Sequence, residues 1–154
     1  MKKILFFGFF AGLVLMVSSS YLYGAANDTP APTAHISSED QAKAALESLQ
    51  HAYTERNLEG FFKLVSDKSF FNSTDLKFQL DKTFHNFSQI ELHFSIDRSL
   101  TENNKIALKT HWQKRMVRNS NGHVETHEGN AELVFKMHTE HPPTLINITG
   151  DSPF

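Results

Sequence analysis

Past residue 88 the chain alternates apolar and polar residues with a period of two, and short polar or proline-containing breaks interrupt it. That period puts apolar side chains on one face of extended chain and fits no helix. Over residues 89–97, Ile90, Leu92, Phe94 and Ile96 share one face, and Glu91, His93 and Ser95 share the other. Thr101-Glu102-Asn103-Asn104 reads as a turn. Residues 105–117 alternate again, with Ile106, Leu108, Thr110, Trp112, Lys114 and Met116 in one phase. Asn119-Ser120-Asn121-Gly122 signals a hairpin, because Asn and Gly tolerate positive φ. Residues 123–138 form the next predicted strand, with Ala131, Leu133, Phe135 and Met137 in phase. Glu140-His141-Pro142-Pro143 turns the chain into a last short strand over residues 144–149. Such a meander is apolar on one face and needs a cover.

The preceding segment supplies it. Ser37 or Ser38 caps a helix, with Asp40 or Gln41 three residues on as the reciprocal partner. Ala42, Ala45, Leu46, Leu49 and Tyr53 then recur at helical spacing, whereas Glu47, Gln50, Thr54 and Glu55 lie opposite. Arg56-Asn57 interrupts the pattern. Leu58, Phe61, Phe62 and Val65 mark a second short helix. Ser73 caps a third, carrying Leu76, Leu80, Phe84 and Phe87. Three one-sided helices followed by a meander predict an α+β domain with the helices packed on one face of a curved antiparallel sheet.

The N-terminus has a different character. Lys2 and Lys3 precede an apolar run over residues 4–17, then Ser18-Ser19-Ser20 and the small residues Gly24-Ala25-Ala26. That order matches a secretory signal peptide cut before Asn27. The alternative is an uncleaved inner-membrane anchor through residues 4–26, long enough to span a bilayer. Residues 1–26 are thus the leader, 27–36 a linker with two prolines, and 37–154 the domain, expected in the periplasm or secreted. The chain has no Cys, so disulfides, thiolate metal sites, Cys nucleophiles and lipoprotein processing are excluded. An exported domain of this kind is held by packing alone. Formal net charge is −2 and becomes more negative once Lys2 and Lys3 leave, which disfavours nucleic acid as a partner.

The order of elements resembles the nuclear transport factor 2-like superfamily, which includes SnoaL-like polyketide cyclases and ketosteroid isomerases. The resemblance covers residues 37–154 and rests on four stretches. These are Ala52-Tyr53-Thr54-Glu55-Arg56-Asn57-Leu58-Glu59, Trp112 in a long strand, Gly129-Asn130-Ala131-Glu132-Leu133-Val134-Phe135, and the closing Ile148-Thr149-Gly150-Asp151-Ser152-Pro153-Phe154. Asn57 stands where the family commonly has an acid. The closing stretch resembles an uncharacterised exported bacterial branch, in which a Trp commonly precedes the last strand; Pro142-Pro143-Thr144 occupies that region here. The resemblance implies a cone-shaped roll with a cavity between helices and sheet. It leaves activity open, since one fold hosts many functions.

Two constellations carry candidate chemistry. His123, Glu125 and His127 would line one face of a strand, and two imidazoles with a carboxylate suit a divalent metal. The outer pair lies roughly 13 Å apart along a straight strand, too far for one ion. His111 could assist across the hairpin. The simpler account is a solvated polar face near a hairpin tip. The second constellation is the acid–base pocket that the resemblance implies, to which Tyr53, His85, Trp112, Glu125 and His127 are the contributors. Alternation turns His127 inward with Leu133 and Phe135 unless a bulge at Gly129 flips it. Nine His residues are many for this length, but their scatter fits surface positions. Asn72-Ser73-Thr74, Asn86-Phe87-Ser88 and Asn147-Ile148-Thr149 match the glycosylation pattern by chance in a chain with a bacterial-type leader.

The expected function is a non-enzymatic exported module that holds a small apolar ligand in the cone or dimerises through the sheet. The alternative is a small cofactor-independent isomerase, cyclase or dehydratase. An enclosed pocket with two convergent ionisable groups would favour the enzyme, and a filled cone the module. No motif calls for a cofactor. Partners are a second copy or another exported protein, with a membrane only if the leader is uncleaved.

Overall fold

The computed structural model describes residues 36–69 and 72–154. The leader, and the linker apart from Ile36, lie outside the described residues. Helix α1 (Ser38–Thr54) begins at Ser37, whose hydroxyl oxygen accepts from the Asp40 amide at 3.1 Å. Its inward face, Ala42, Ala45, Leu46, Leu49, Ala52 and Tyr53, is buried. Arg56 ends it by taking a left-handed φ of 55°, and the Asn57 amide turns back to the Ala52 carbonyl at 2.8 Å. Asn57 then caps α2 (Leu58–Lys63), accepting from the Gly60 amide at 2.9 Å. A Cβ on Gly60 would stand 2.5 Å from Asn57 Nδ2, so a side chain there would push the Asn57 cap aside. Asn57 is thus an exposed helix cap.

Helix α3 (Ser73–Asn86) is capped by Asn72, one residue earlier than expected. Its side chain accepts from the amides of Thr74 and Asp75 at 3.0 and 3.3 Å. Both Asn and Ser make good caps, and Asn72 has the extra reach. Leu76 and Leu80 face inward. The helix then passes without a linker into β1 (Phe87–Glu102).

The other strands are β2 (Lys105–Arg118), β3 (Val124–Lys136) and β4 (Thr144–Gly150), and the sheet runs antiparallel in sequence order. Strand β1 extends beyond the expected residue 97. A bulge between Ile96 and Arg98 shifts the phase, so Ser99 faces Leu108 and Leu100 turns outward beside Ala107. At the β1–β2 turn Asn103 adopts φ of 48°. The β2–β3 pairing is unbroken from Lys105↔Lys136 to Val117↔Val124, and Gly129 pairs with Trp112 without a bulge. At the start of β4, Ile146 is the extra residue between two pairs, and both Leu145 and Ile146 are buried. The segment after α2 is tied to β4 through Ser66 N to Leu145 O at 2.9 Å and Leu145 N to Leu64 O at 2.8 Å.

Helix α1 lies across β1 and β2, with α2 beside it, and α3 packs on β1 and α2. Between helices and sheet, Leu49, Tyr53, Phe61, Leu80, Ile106, Leu108, Leu133, Phe135 and Leu145 lose all contact with solvent. This is the expected α+β arrangement of three helices on a curved antiparallel sheet. Gly150 ends β4 at φ of 86°, and its missing Cβ would meet the Asn130 carbonyl at 2.5 Å. Residues 151–154 then fold back into the core, where Pro153 and Phe154 are buried. Among the described residues no helix is long and apolar enough to cross a membrane.

Candidate functional site

Lys114 breaks the chemistry of the inward sheet face. It stands in the phase of Trp112 and Met116 on β2, between Leu92 of β1 and His127 of β3. Its ammonium donates to the Pro153 carbonyl at 2.9 Å. It also lies 5.4 Å from the Trp112 ring centre and 5.6 Å from that of Tyr53, within range of cation–π attraction. Among the described residues no carboxylate forms an ion pair with it. Burial accordingly lowers its pKa to about 8, because the charged form has lost water without gaining a counter-charge.

Tyr53 projects from α1 toward the same region. It is fully buried, and among the described residues its hydroxyl has no hydrogen-bond partner. Burial pushes the phenol above its ordinary value. An unmet buried polar group of this kind costs roughly 1–3 kcal/mol. Phe154 fills the space beside it, its ring centre 5.5 Å from Tyr53, 4.8 Å from Phe61 and 6.2 Å from Phe94. The first two contacts are edge-on, the favoured geometry for aromatic pairs. Trp112 closes the wall by donating Nε1–H to the Asp151 carbonyl at 2.9 Å. Opposite it, a Cβ on Gly129 would sit 2.8 Å from Trp112 Cζ2, so the glycine makes room for the indole.

Of the five expected pocket residues, the structure brings Tyr53 and Trp112 to this cone. His85 lies exposed at the end of α3, and its carbonyl accepts from Asn119 Nδ2 at 2.6 Å. Glu125 is engaged by Arg118, whose Nε donates at 2.8 Å and whose guanidinium covers the Phe87 ring at 5.1 Å. The Arg118 hydrogen bond holds the Glu125 carboxyl below its ordinary pKa. His127 faces inward by register, opposite Lys114, but is exposed and lies 3.7 Å from Glu125.

The suggested metal ligands do not converge. His123 lies in the turn before β3, and His111 pairs with Asn130, on the face opposite Glu125 and His127. His111 Nδ1 is 3.4 Å from Asn130 Oδ1. Among the described residues no group of three His, Cys, Asp or Glu side chains is placed to hold a metal ion. A surface hollow of about 550 Å³ lies between α2 and α3, lined by Leu58, Glu59, Phe62, Lys63 and Lys77, and contains none of the expected site residues.

Sequence reasoning missed Lys114 and Phe154. The signal for Lys114 was its place between Trp112 and Met116 in the inward phase of β2, although a lysine in a strand ordinarily reaches solvent. Phe154 offered no local signal, since its partners lie far along the chain.

No family model matches the chain, and no curated protein matches it in sequence. Solved structures do. A conserved protein from Planctomyces limnophilus superposes with a TM-score of 0.65 at 14% identity, over 73% of this chain and 97% of that one. A nuclear transport factor 2-like superfamily protein from Salmonella enterica serovar Typhimurium gives 0.63 at 12%, over 75% and 91%. A ketosteroid isomerase-like protein from Erwinia carotovora atroseptica gives 0.58 at 10%, over 76% and 100%. At these identities the likeness establishes the fold and says nothing of activity.

Proposed function

We propose that this chain, built on the nuclear transport factor 2-like fold, is an exported, non-enzymatic binding module. Its cone takes a small apolar ligand in exchange for the chain's own tail. The observation that carries this reading is the Phe154 ring seated among Tyr53, Phe61 and Phe94. An aromatic-lined recess that accepts a benzyl group accepts other apolar groups of that size.

The enzymatic alternative needs a base in the cone. Of the two polar groups there, Tyr53 keeps its proton at neutral pH, and the Lys114 ammonium is engaged by the Pro153 carbonyl. Of the expected bases, His85 and His127 are exposed and Glu125 is paired with Arg118.

Titration of the full chain with the neutral fluorescent probe N-phenyl-1-naphthylamine tests the exchange. Burying a Phe side chain is worth ~1.5–3 kcal/mol. Phe154→Ala should therefore bind the probe about tenfold or more tightly than the wild type. Equal affinity in the two proteins, or no binding by either, would refute the reading.

A further inference from the structure

We propose that Lys114 and Tyr53 form a head-group end to the cone, selecting ligands that join an aromatic body to a carboxylate. This rests on the cone accepting a ligand in place of the tail. Both polar side chains can donate. The ammonium offers three N–H groups and the phenol one O–H. Lys114 meets the Pro153 carbonyl and two ring faces, and among the described residues Tyr53 Oη meets no hydrogen-bond partner. A carboxylate offers only acceptors, so it answers both without bringing a donor of its own. It also supplies the counter-charge that the part-buried ammonium lacks. An alcohol or amide brings no counter-charge to the ammonium, and an amine would repel it.

The tail itself outlines the ligand. The Pro153 carbonyl accepts from Lys114 Nζ, and the ring of the next residue occupies the aromatic recess. Peptide connectivity places Phe154 N, Cα and Cβ between that carbonyl carbon and the ring. In 4-phenylbutyrate, three methylenes separate the carboxyl carbon from the ring in the same way, and the carboxylate replaces a neutral carbonyl with a charged acceptor.

The test titrates the full chain with 4-phenylbutyrate and with its neutral counterpart 4-phenylbutanamide, by calorimetry and by the fluorescence of Trp112, the chain's one tryptophan. Wild type, Phe154→Ala and Phe154→Leu are compared, each with and without Lys114→Met; the leucine variant keeps more of the core filled. With Lys114 present the carboxylate should bind about tenfold more tightly than the amide, as befits a charge-assisted hydrogen bond. Lys114→Met should erase that preference while amide binding persists, and Tyr53→Phe should reduce it. Equal binding of the two probes with Lys114 present, or a preference that survives Lys114→Met, overturns the head-group assignment alone. Binding of neither probe by any variant overturns the ligand-exchange reading together with it.

Discussion

At the scale of single residues, Lys114 links the fold's stability to pH. Its native pKa is about 8 against 10.5 for an ordinary lysine. Below about pH 8 both native and unfolded chains carry the charge, and the native state bears the burial cost, ~3 kcal/mol at 1.36 kcal/mol per unit. Between about 8 and 10.5 the native chain sheds the proton while the unfolded chain keeps it, so stability rises with pH. The titratable groups facing Lys114 are Tyr53 from α1 and His127 from β3. Tyr53 acts in the opposite sense, because its native pKa is raised: above its ordinary value of 10.0 the unfolded chain ionises first and stability falls. Lys114→Met keeps the length of the side chain and removes the charge, at the loss of one hydrogen bond to Pro153 worth ~1 kcal/mol. The variant should be more stable than wild type at pH 7, by roughly 1–3 kcal/mol. Its stability should lack the rise between pH 8 and 9.5. Urea unfolding at both pH values measures this; an unchanged pH slope in the variant would remove Lys114 as its source. The sequence showed where Lys114 points, since it shares a phase with Ile106, Leu108 and Trp112. It could not show the burial, which depends on a tail 39 residues away.

At the scale of elements, residues that alternate without interruption were legible, and those beside an inserted residue were not. Strands β2 and β3 follow their predicted phase throughout because their pairing contains no bulge. In β1 the extra residue at Asp97 reverses the phase, so the alternation was lost there although the strand continues to Glu102, two residues into the expected turn. Gly129 shows the converse. A strand glycine signals either a bulge or a close approach, and here it permits an approach by Trp112 and Asp151. A methyl group at this position would lie 2.8 Å from Trp112 Cζ2 and 2.7 Å from Asp151 Cβ. Both contacts are tighter than packed atoms allow, and the indole has little freedom while it donates to the Asp151 carbonyl. Gly129→Ala should therefore cost ~1–3 kcal/mol, as overpacking does. It should also displace residues 151–154, which share that wall. Thermal unfolding reads the first effect and Trp112 emission the second. A variant with wild-type melting temperature and emission would show that the wall yields freely.

At the scale of the whole molecule, a sheet covered by three helices was foreseeable because both partners are one-sided in sequence, and each needs the other to bury its apolar face. The occupant of the cone was not, because nothing in Pro153 and Phe154 identifies Lys114, Tyr53 or Phe61 as partners. With no Cys, the domain depends on that closed core for stability in any compartment. The proposed role as an exported module further requires that the domain leave the cytoplasm. The apolar run over residues 4–17 is short for a bilayer-spanning helix. Extending it to residue 26 brings in Ser18, Ser19, Ser20, Tyr21 and Tyr23. Gly24 and Ala26 put small side chains at the −3 and −1 positions of a cut before Asn27. Expression of the full chain in a Gram-negative host, followed by fractionation and N-terminal sequencing, should recover a periplasmic or secreted protein beginning at Asn27. Recovery of a membrane-bound chain that retains residues 4–26 would replace cleavage with anchoring, and recovery in the cytoplasm with residues 1–26 intact would defeat the proposed export.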